Sequence, residues 1–229
     1  VKLFVAIPAY DGKVMVDTVR ALLNEIALGH IAGIEILVGF LPNTSLITMA
    51  RNQLVGMFLE SDADKMIFVD SDVSWEPGAI IQLASHNQDF VGGAYRLKET
   101  AEAYPVGWLK PDGELWAQDG LLEVEYLPGG FLCLSRAVFA RLKVAYPSRS
   151  YRHMAFDGHA YFDAPFKDGR LYGEDSAFCA LWRAIGGKVW LDPELTLTHH
   201  GGSPSFKGHI GNWLKSRTPD QELCNGDAA

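Results

Sequence analysis

Met66-Ile67-Phe68-Val69-Asp70-Ser71-Asp72 is the stretch on which the fold turns: four apolar residues, then two carboxylates around a serine. A short apolar run that ends on acidic residues reads as a buried strand emerging at a sheet edge. Two similar runs precede it, Leu3 to Ile7, ended by Pro8, and Ile34 to Val38. Between them Val16, Val19, Leu22, Leu23 and Ile26 recur at helical spacing, and Leu46 to Glu60 carries Ala50, Leu54 and Phe58 on one stripe. Strand, helix, strand, helix, strand predicts an α/β fold, with a mostly parallel sheet flanked by helices and ligands beyond the carboxyl ends of its strands. Tyr10 and Asp70 fall at such ends.

Downstream, Trp75-Glu76-Pro77 reads as a helix start leading to Ala79 to Ser85, with Pro in the first turn. Phe90-Val91, Val106 to Leu109, Glu114 to Trp116 and Leu121 to Tyr126 read as short strands, with Pro111-Asp112-Gly113 as a turn, so the second half is antiparallel or mixed. Gly129-Gly130 precedes a strand at Phe131 to Leu134, and Arg136 to Lys143 is helical. Tyr146 to Arg170 is aromatic, Gly-rich and without periodicity, the kind of stretch that is usually functional or mobile. Glu174 to Ile185 is a helix closed by Gly186-Gly187, and Val189 to Leu191 and Leu195 to His199 are the last strands. The reading is one domain over 1–217, divided near residue 100 into a nucleotide-binding half (1–100) and an acceptor half (101–217). A flexible tail is expected over 218–229.

The 229 residues are 48% hydrophobic with a formal charge of −8, enough for a large core. No basic run appears, which argues against a nucleic-acid surface. Cys133, Cys179 and Cys224 form no CxxC pair, so neither a disulfide framework nor a zinc knuckle is indicated and a reducing cytoplasm fits. The apolar runs are too short for a spanning helix, and Leu3 to Ile7 lacks the flanks of a signal peptide. A peripheral contact with a membrane-bound acceptor needs no long apolar segment and stays open.

Asp70 and Asp72 share one turn at the sheet's carboxyl edge and suit a hard cation, because Mg²⁺ and Mn²⁺ take oxygen ligands from carboxylates and substrate phosphates together. Alone, the pair also reads as a solvated turn ahead of a helix. The ordered set of motifs carries more. Val5-Ala6-Ile7-Pro8-Ala9-Tyr10, Ala50-Arg51-Asn52 and Ile67 to Asp72 are similar to the nucleotide-binding half of GT-A glycosyltransferases, especially family-2-like enzymes. Gly129-Gly130-Phe131, Leu134 to Phe139, Gly173-Glu174-Asp175 and His199-His200-Gly201 resemble the acceptor half of the same Rossmann-like, nucleotide-diphospho-sugar transferase fold. The resemblance spans roughly residues 3 to 202.

It implies a sugar transferred from a nucleoside-diphosphate sugar to a hydroxyl on a glycan or glycoconjugate, with Mn²⁺ or Mg²⁺. A uridine donor is the first expectation. A guanosine donor is the second, since the motifs also resemble fungal mannosyltransferases that use it. Pro8, Ala9 and Tyr10 would border the nucleotide, with Tyr10 as a stacking surface. Arg51 would reach the base or diphosphate, and Asp70, Ser71 and Asp72 would hold the diphosphate and metal. His199 would complete the metal site in preference to His200, since neighbouring strand residues face opposite ways. Asp175 would be the general base and Glu174 would orient the acceptor.

Each has a structural alternative: a strand-end tyrosine, a first-turn arginine, a core histidine, or acidic residues favoured at a helix start. An Asp175 at a helix N-terminus is expected to have a lowered pKa. Two rival functions remain at this level. A sugar-nucleotide-forming nucleotidyltransferase would want a Gly-rich basic phosphate loop, for which Pro8 to Lys13 is a poor substitute, and a non-catalytic carbohydrate- or sugar-nucleotide-binding module would need no turnover at all.

Overall fold

The computed structural model describes residues 1–109, 116–153, 156–201 and 205–217. In chain order the elements are β1 (Lys2–Ala9), α1 (Val16–Ile31), β2 (Glu35–Pro42), α2 (Ile47–Glu60), β3 (Lys65–Val69), β4 (Val73–Trp75), α3 (Ala79–Ser85), β5 (Phe90–Gly92), β6 (Trp116–Gln118), β7 (Leu121–Val124), β8 (Phe131–Ser135) and α4 (Arg136–Ala145). Then come β9 (Ser150–His153), β10 (Phe156–His159), β11 (Phe166–Lys167), β12 (Arg170–Leu171), α5 (Glu174–Ala184), β13 (Val189–Leu191), β14 (Thr196–His199), β15 (Phe206–His209) and α6 (Ile210–Arg217). Eight strands form one sheet in the order β2-β1-β3-β8-β5-β13-β7-β6. Only β8 and β7 run against the rest. The α/β class and the mixed, mostly parallel sheet are as the strand-helix alternation predicts.

β1 is paired on both edges, by β2 and β3, and helices cover both faces of the sheet there, so Leu3 to Ala9 are all buried. Alternation then sorts its side chains into two cores. Leu3, Val5 and Ile7 join Ile67 and Val69 of β3 beneath α1 and α3. Phe4 and Ala6 join Met66 and Phe68 beneath α2, α4 and α5. The next residue of β3 in this sequence, Asp70, therefore leaves the sheet on the α2 side. Arg136 fixes the far end of α2 by donating to the carbonyls of Phe58 and Leu59 in its last turn and of Ser61 and Ala63 just beyond it. Cys133 and Cys179 are buried thiols, each pushed up to about 12 by burial.

Several local expectations are corrected. Trp75 is the end of β4, paired with Leu197 of β14, rather than a helix start. Helix α3 begins only at Ala79, after Gly78 at φ 94°. Its first-turn amides are served from another helix: the buried Glu25 of α1 accepts from Gly78 N, Ile81 N and the Trp75 indole at 2.9–3.1 Å. Val106 to Leu109 makes a single bridge, Gly107 to Tyr126, not a strand. Pro105 has no N–H to give a ladder there. The stretch from Tyr146 to Arg170 holds a 3₁₀ turn (Pro147–Arg149) and the hairpin β9–β10, with β11 pairing β12 at its end. After Gly201 the chain returns as β15, which extends the sheet β15-β14-β4, and then α6. The periodicity of α1 is helical as read, but Val16, Val19 and Leu23 are exposed, and Thr18, Ala21, Leu22, Glu25 and Gly29 face inward. The turn at Pro111-Asp112-Gly113, Glu114 and the 218–229 tail lie outside the described residues. Among the described residues, no helix is long and apolar enough to cross a membrane.

Candidate active site

The carboxyl ends of β1, β3 and β5 open on one edge of the sheet, and the chain enters β8 there. α2 and α5 also begin at that edge, so six segments meet there. A cavity of about 300 Å³ lies between them. Pro8, Tyr10, Thr44, Ser45, Ile47, Ala50, Arg51, Asp70, Ser71, Asp72 and Glu174 line it. Most of the donor-binding residues expected from sequence are thus gathered on one wall. Tyr10 is 67% exposed, while Ala9 is buried and not part of the lining. The Ser71 carbonyl accepts from Met15 N at 2.9 Å, tying the loop after β1 to the acidic turn.

One wall of the cavity is an ionic cluster built around a buried arginine. Arg51, 2% exposed, donates from Nη2 to Asp70 Oδ1 at 2.9 Å, from Nε to Glu174 Oε1 at 3.2 Å and from Nη1 to the Gly129 carbonyl at 3.1 Å. Its guanidinium also lies over the rings of Phe68 and Phe162. Burial pulls its pKa down, but Asp70 and Glu174 more than offset that, so it stays cationic. The other Asp70 oxygen accepts from the Tyr95 hydroxyl at 3.2 Å, a phenol that burial raises well above its ordinary pKa. Close approach explains the glycine pair. A Cβ on Gly130 would sit 2.3 Å from Asp70 Oδ2, and one on Gly129 would sit 2.8 Å from Arg51 Nη2. Next to Arg51, Asn52 exchanges two 2.9 Å hydrogen bonds with the Phe162 backbone and so holds the end of the aromatic stretch against α2.

Asp72 has different surroundings. Antiparallel pairing places His199, at the end of β14, opposite Val73, at the start of β4. The imidazole Nε2 therefore lies 3.5 Å from Asp72 Oδ2. Its Nδ1 is 2.9 Å from the Arg96 carbonyl, which can only accept, so Nδ1 carries the proton and the Nε2 lone pair faces Asp72 when the ring is neutral. His200 turns away, is 5% exposed, and hydrogen-bonds Ser74 and Ser205 hydroxyls at 2.8 and 2.9 Å. Lys98 Nζ also reaches Asp72 Oδ2, at 2.5 Å. Burial raises the Asp72 pKa, but His199 and Lys98 outweigh it and bring it to about 2.

Among the described residues no group of three or more His, Cys, Asp or Glu side chains forms a closed metal cage. Two convergent donors, one carboxylate oxygen and one imidazole nitrogen oriented by a backbone carbonyl, fit a divalent ion whose remaining positions go to phosphate and water. Each Asp70 oxygen already accepts one hydrogen bond, from Arg51 and from Tyr95.

Asp175 opens α5 beside Glu174, and its Oδ1 accepts from Ser176 N at 2.7 Å. Its pKa is raised, not lowered as the helix dipole suggested: burial and the neighbouring Glu174 charge outweigh the Ser176 and Gly129 amides and Arg51. Tyr95, Lys98 and the Arg96 carbonyl were not singled out from sequence. The available signal was position, because Gly92-Gly93-Ala94-Tyr95 leaves β5 at the carboxyl edge that also holds Tyr10 and Asp70.

No protein-family model matches the sequence, and no curated protein does. Solved structures that are similar in shape include GalNAc-T7 with UDP, GalNAc and Mn²⁺, at 14% identity and TM-score 0.49 over 86% of this chain and 43% of that one. A Drosophila β-1,4-galactosyltransferase 7 mutant in complex with manganese, UDP-Gal and xylobiose matches at 15% identity and TM-score 0.48, over 99% and 77%. S. aureus TarS with UDP-GlcNAc matches at 12% and 0.48, over 92% and 61%. The chain thus spans less than two thirds of the first and third of these proteins. The functional reading rests on the site's own residues.

Proposed function

We propose that this protein is a metal-dependent glycosyltransferase of the GT-A type that moves a sugar from a nucleoside-diphosphate sugar to a hydroxyl of a glycan or glycoconjugate. The observation that carries the reading is the cavity at the sheet's carboxyl edge, lined by the exposed Tyr10, the Asp70-Ser71-Asp72 turn and Glu174, with His199 beside Asp72 and the raised-pKa Asp175 next to Glu174 at the start of α5. Its 300 Å³ is at the lower end of the range for small-ligand pockets.

Tyr10, exposed at the mouth, offers a face on which the base stacks. Asp72 and His199 would hold Mn²⁺ or Mg²⁺ against the diphosphate, and the imidazole favours Mn²⁺. When bound, the ion supplies Lewis acidity that neutralises charge on the departing diphosphate. Arg51 keeps Asp70 and Glu174 in place and sets the floor of the cavity. Asp175 takes the proton from the acceptor hydroxyl as that oxygen bonds to the anomeric carbon. The bond from that carbon to the β-phosphate oxygen breaks at the same time, and its electron pair leaves with the nucleoside diphosphate. A carboxylate with a raised pKa is the better base of two otherwise equal ones, because proton transfer to it is less uphill. Uridine diphosphate is the first donor to try and guanosine diphosphate the second.

Calorimetric titration of UDP and GDP, with and without Mn²⁺, followed by a hydrolysis assay on sugars of the tighter nucleotide, tests the reading. Affinity that appears only with the metal, together with slow sugar release, is the expected result. If neither nucleotide binds with Mn²⁺ present, the proposal is wrong.

A further inference from the structure

One charged group at Asp72 has no role in the chemistry above. Lys98 lies in the segment after β5, and its side chain is 36% exposed, yet its ammonium is 2.5 Å from the carboxylate oxygen that also faces His199. Its path is built into the fold. The lysine stem crosses Gly201, where a Cβ would meet Lys98 Cδ at 2.5 Å, Cε at 2.6 Å and Nζ at 2.7 Å. Gly201 has no left-handed φ, so its backbone does not call for glycine, and a methyl there would displace the flexible end of the lysine. The ammonium therefore engages the same Asp72 oxygen that faces His199, and a divalent ion held by that pair would meet both a competitor for the oxygen and a like charge beside it.

We infer that Lys98 is a tethered counter-cation that holds Asp72 until a divalent ion displaces it. This rests on the reading of Asp72 as a metal ligand. The metal alone then binds weakly, and metal and nucleoside diphosphate bind well together, because the diphosphate brings negative charge for both the ion and the released ammonium. A lysine on its four-carbon stem turns from Asp72 to a phosphate oxygen by rotamer changes alone.

The test is calorimetric titration of Mn²⁺ alone, and then of Mn²⁺ with UDP or with GDP, into the full chain and its variants. Lys98→Met should bind Mn²⁺ alone about three- to tenfold more tightly than wild type, as expected for losing a partly exposed ion pair and its repulsion of the metal. Lys98→Arg keeps the charge and should stay within about twofold. Gly201→Ala, whose methyl pushes the lysine aside, should shift in the same direction as Lys98→Met. If Lys98→Met binds Mn²⁺ no more tightly while wild type still shows Mn²⁺-dependent nucleotide affinity that Asp72→Asn removes, this inference is overturned and the metal site stands. If no variant binds Mn²⁺ under any condition, both are overturned.

Discussion

Asp70 and Asp72 are two residues apart in one turn, yet they live in different chemical surroundings. Asp70 follows the inward alternation of β3 and lands against a 2%-exposed arginine, with Tyr95 and two glycines closing over it. Asp72 faces the open side, where a histidine and a lysine that can move reach it. The first pairs with a buried cation, and the second with a partly exposed lysine and a histidine. The two carboxylates of one acidic turn thus sit in different settings, and the proposed function gives the ligand to Asp72 and the floor of the site to Asp70. Each variant below either breaks that division or sharpens it.

The largest effect is expected at Asp175. Asp175→Asn keeps the acceptor for Ser176 N but loses the proton acceptor, so transfer should fall by about 10²–10⁴-fold with donor affinity retained. The stability sign is also fixed. A folded-state pKa raised above the ordinary carboxylate value means the native state holds the proton more tightly. This group's contribution therefore falls as pH rises from the unfolded to the folded pKa, and at neutral pH the ionised carboxylate costs stability. Asp175→Asn should leave Tm at pH 7 unchanged or higher, and the acid limb of the wild-type rate profile should lie above the ordinary carboxylate range. Near-normal transfer with an unchanged Tm would reassign Asp175 as a helix cap, because Asn keeps that acceptor.

Arg51→Met should come next, at about 3–5 kcal/mol of stability, because it leaves the Asp70 and Glu174 carboxylates facing each other without their buried cation. Chemical denaturation measures it. If Tm holds and only donor affinity is lost, Arg51 is a nucleotide ligand first and a structural ion second.

The adjacent histidines give the smallest and sharpest contrast. His199→Ala should weaken Mn²⁺ binding with nucleotide by at least about tenfold, the scale seen when a metal site loses even a supporting group. His200→Ala should instead cost about 1–2 kcal/mol of stability through the Ser74 and Ser205 hydrogen bonds, with metal affinity preserved. Equal and small losses of metal affinity would remove both from the site.

The same contrast shows what the sequence made legible. Strand ends are readable from apolar runs, so Tyr10, Asp70 and the acidic turn could be placed at the sheet edge, and the Glu174-Asp175 helix start could be placed from its composition. Which carboxylate of the turn goes inward was not readable, because it depends on Arg51 arriving from α2 and on the glycine pair before β8. Lys98 and Tyr95 have no periodic signal, and their positions follow only from β5 lying beside β8 and β13 in the sheet. The Asp175 pKa came out with the opposite sign because burial and a like-charged neighbour are tertiary quantities, while the helix dipole is a local one. The exposed face of α1 is a further case. Apolar spacing identified the helix, but Glu25, reaching into α3, decided which side faces inward.

The most direct measurement is the Mn²⁺ dependence of UDP and GDP affinity in Asp72→Asn and Asp70→Asn, read beside their melting temperatures. The division of labour requires Asp72→Asn to lose metal-dependent affinity with a Tm close to wild type, and Asp70→Asn to lose Tm while the metal dependence survives. Metal-dependent affinity retained in a folded Asp72→Asn protein would contradict it.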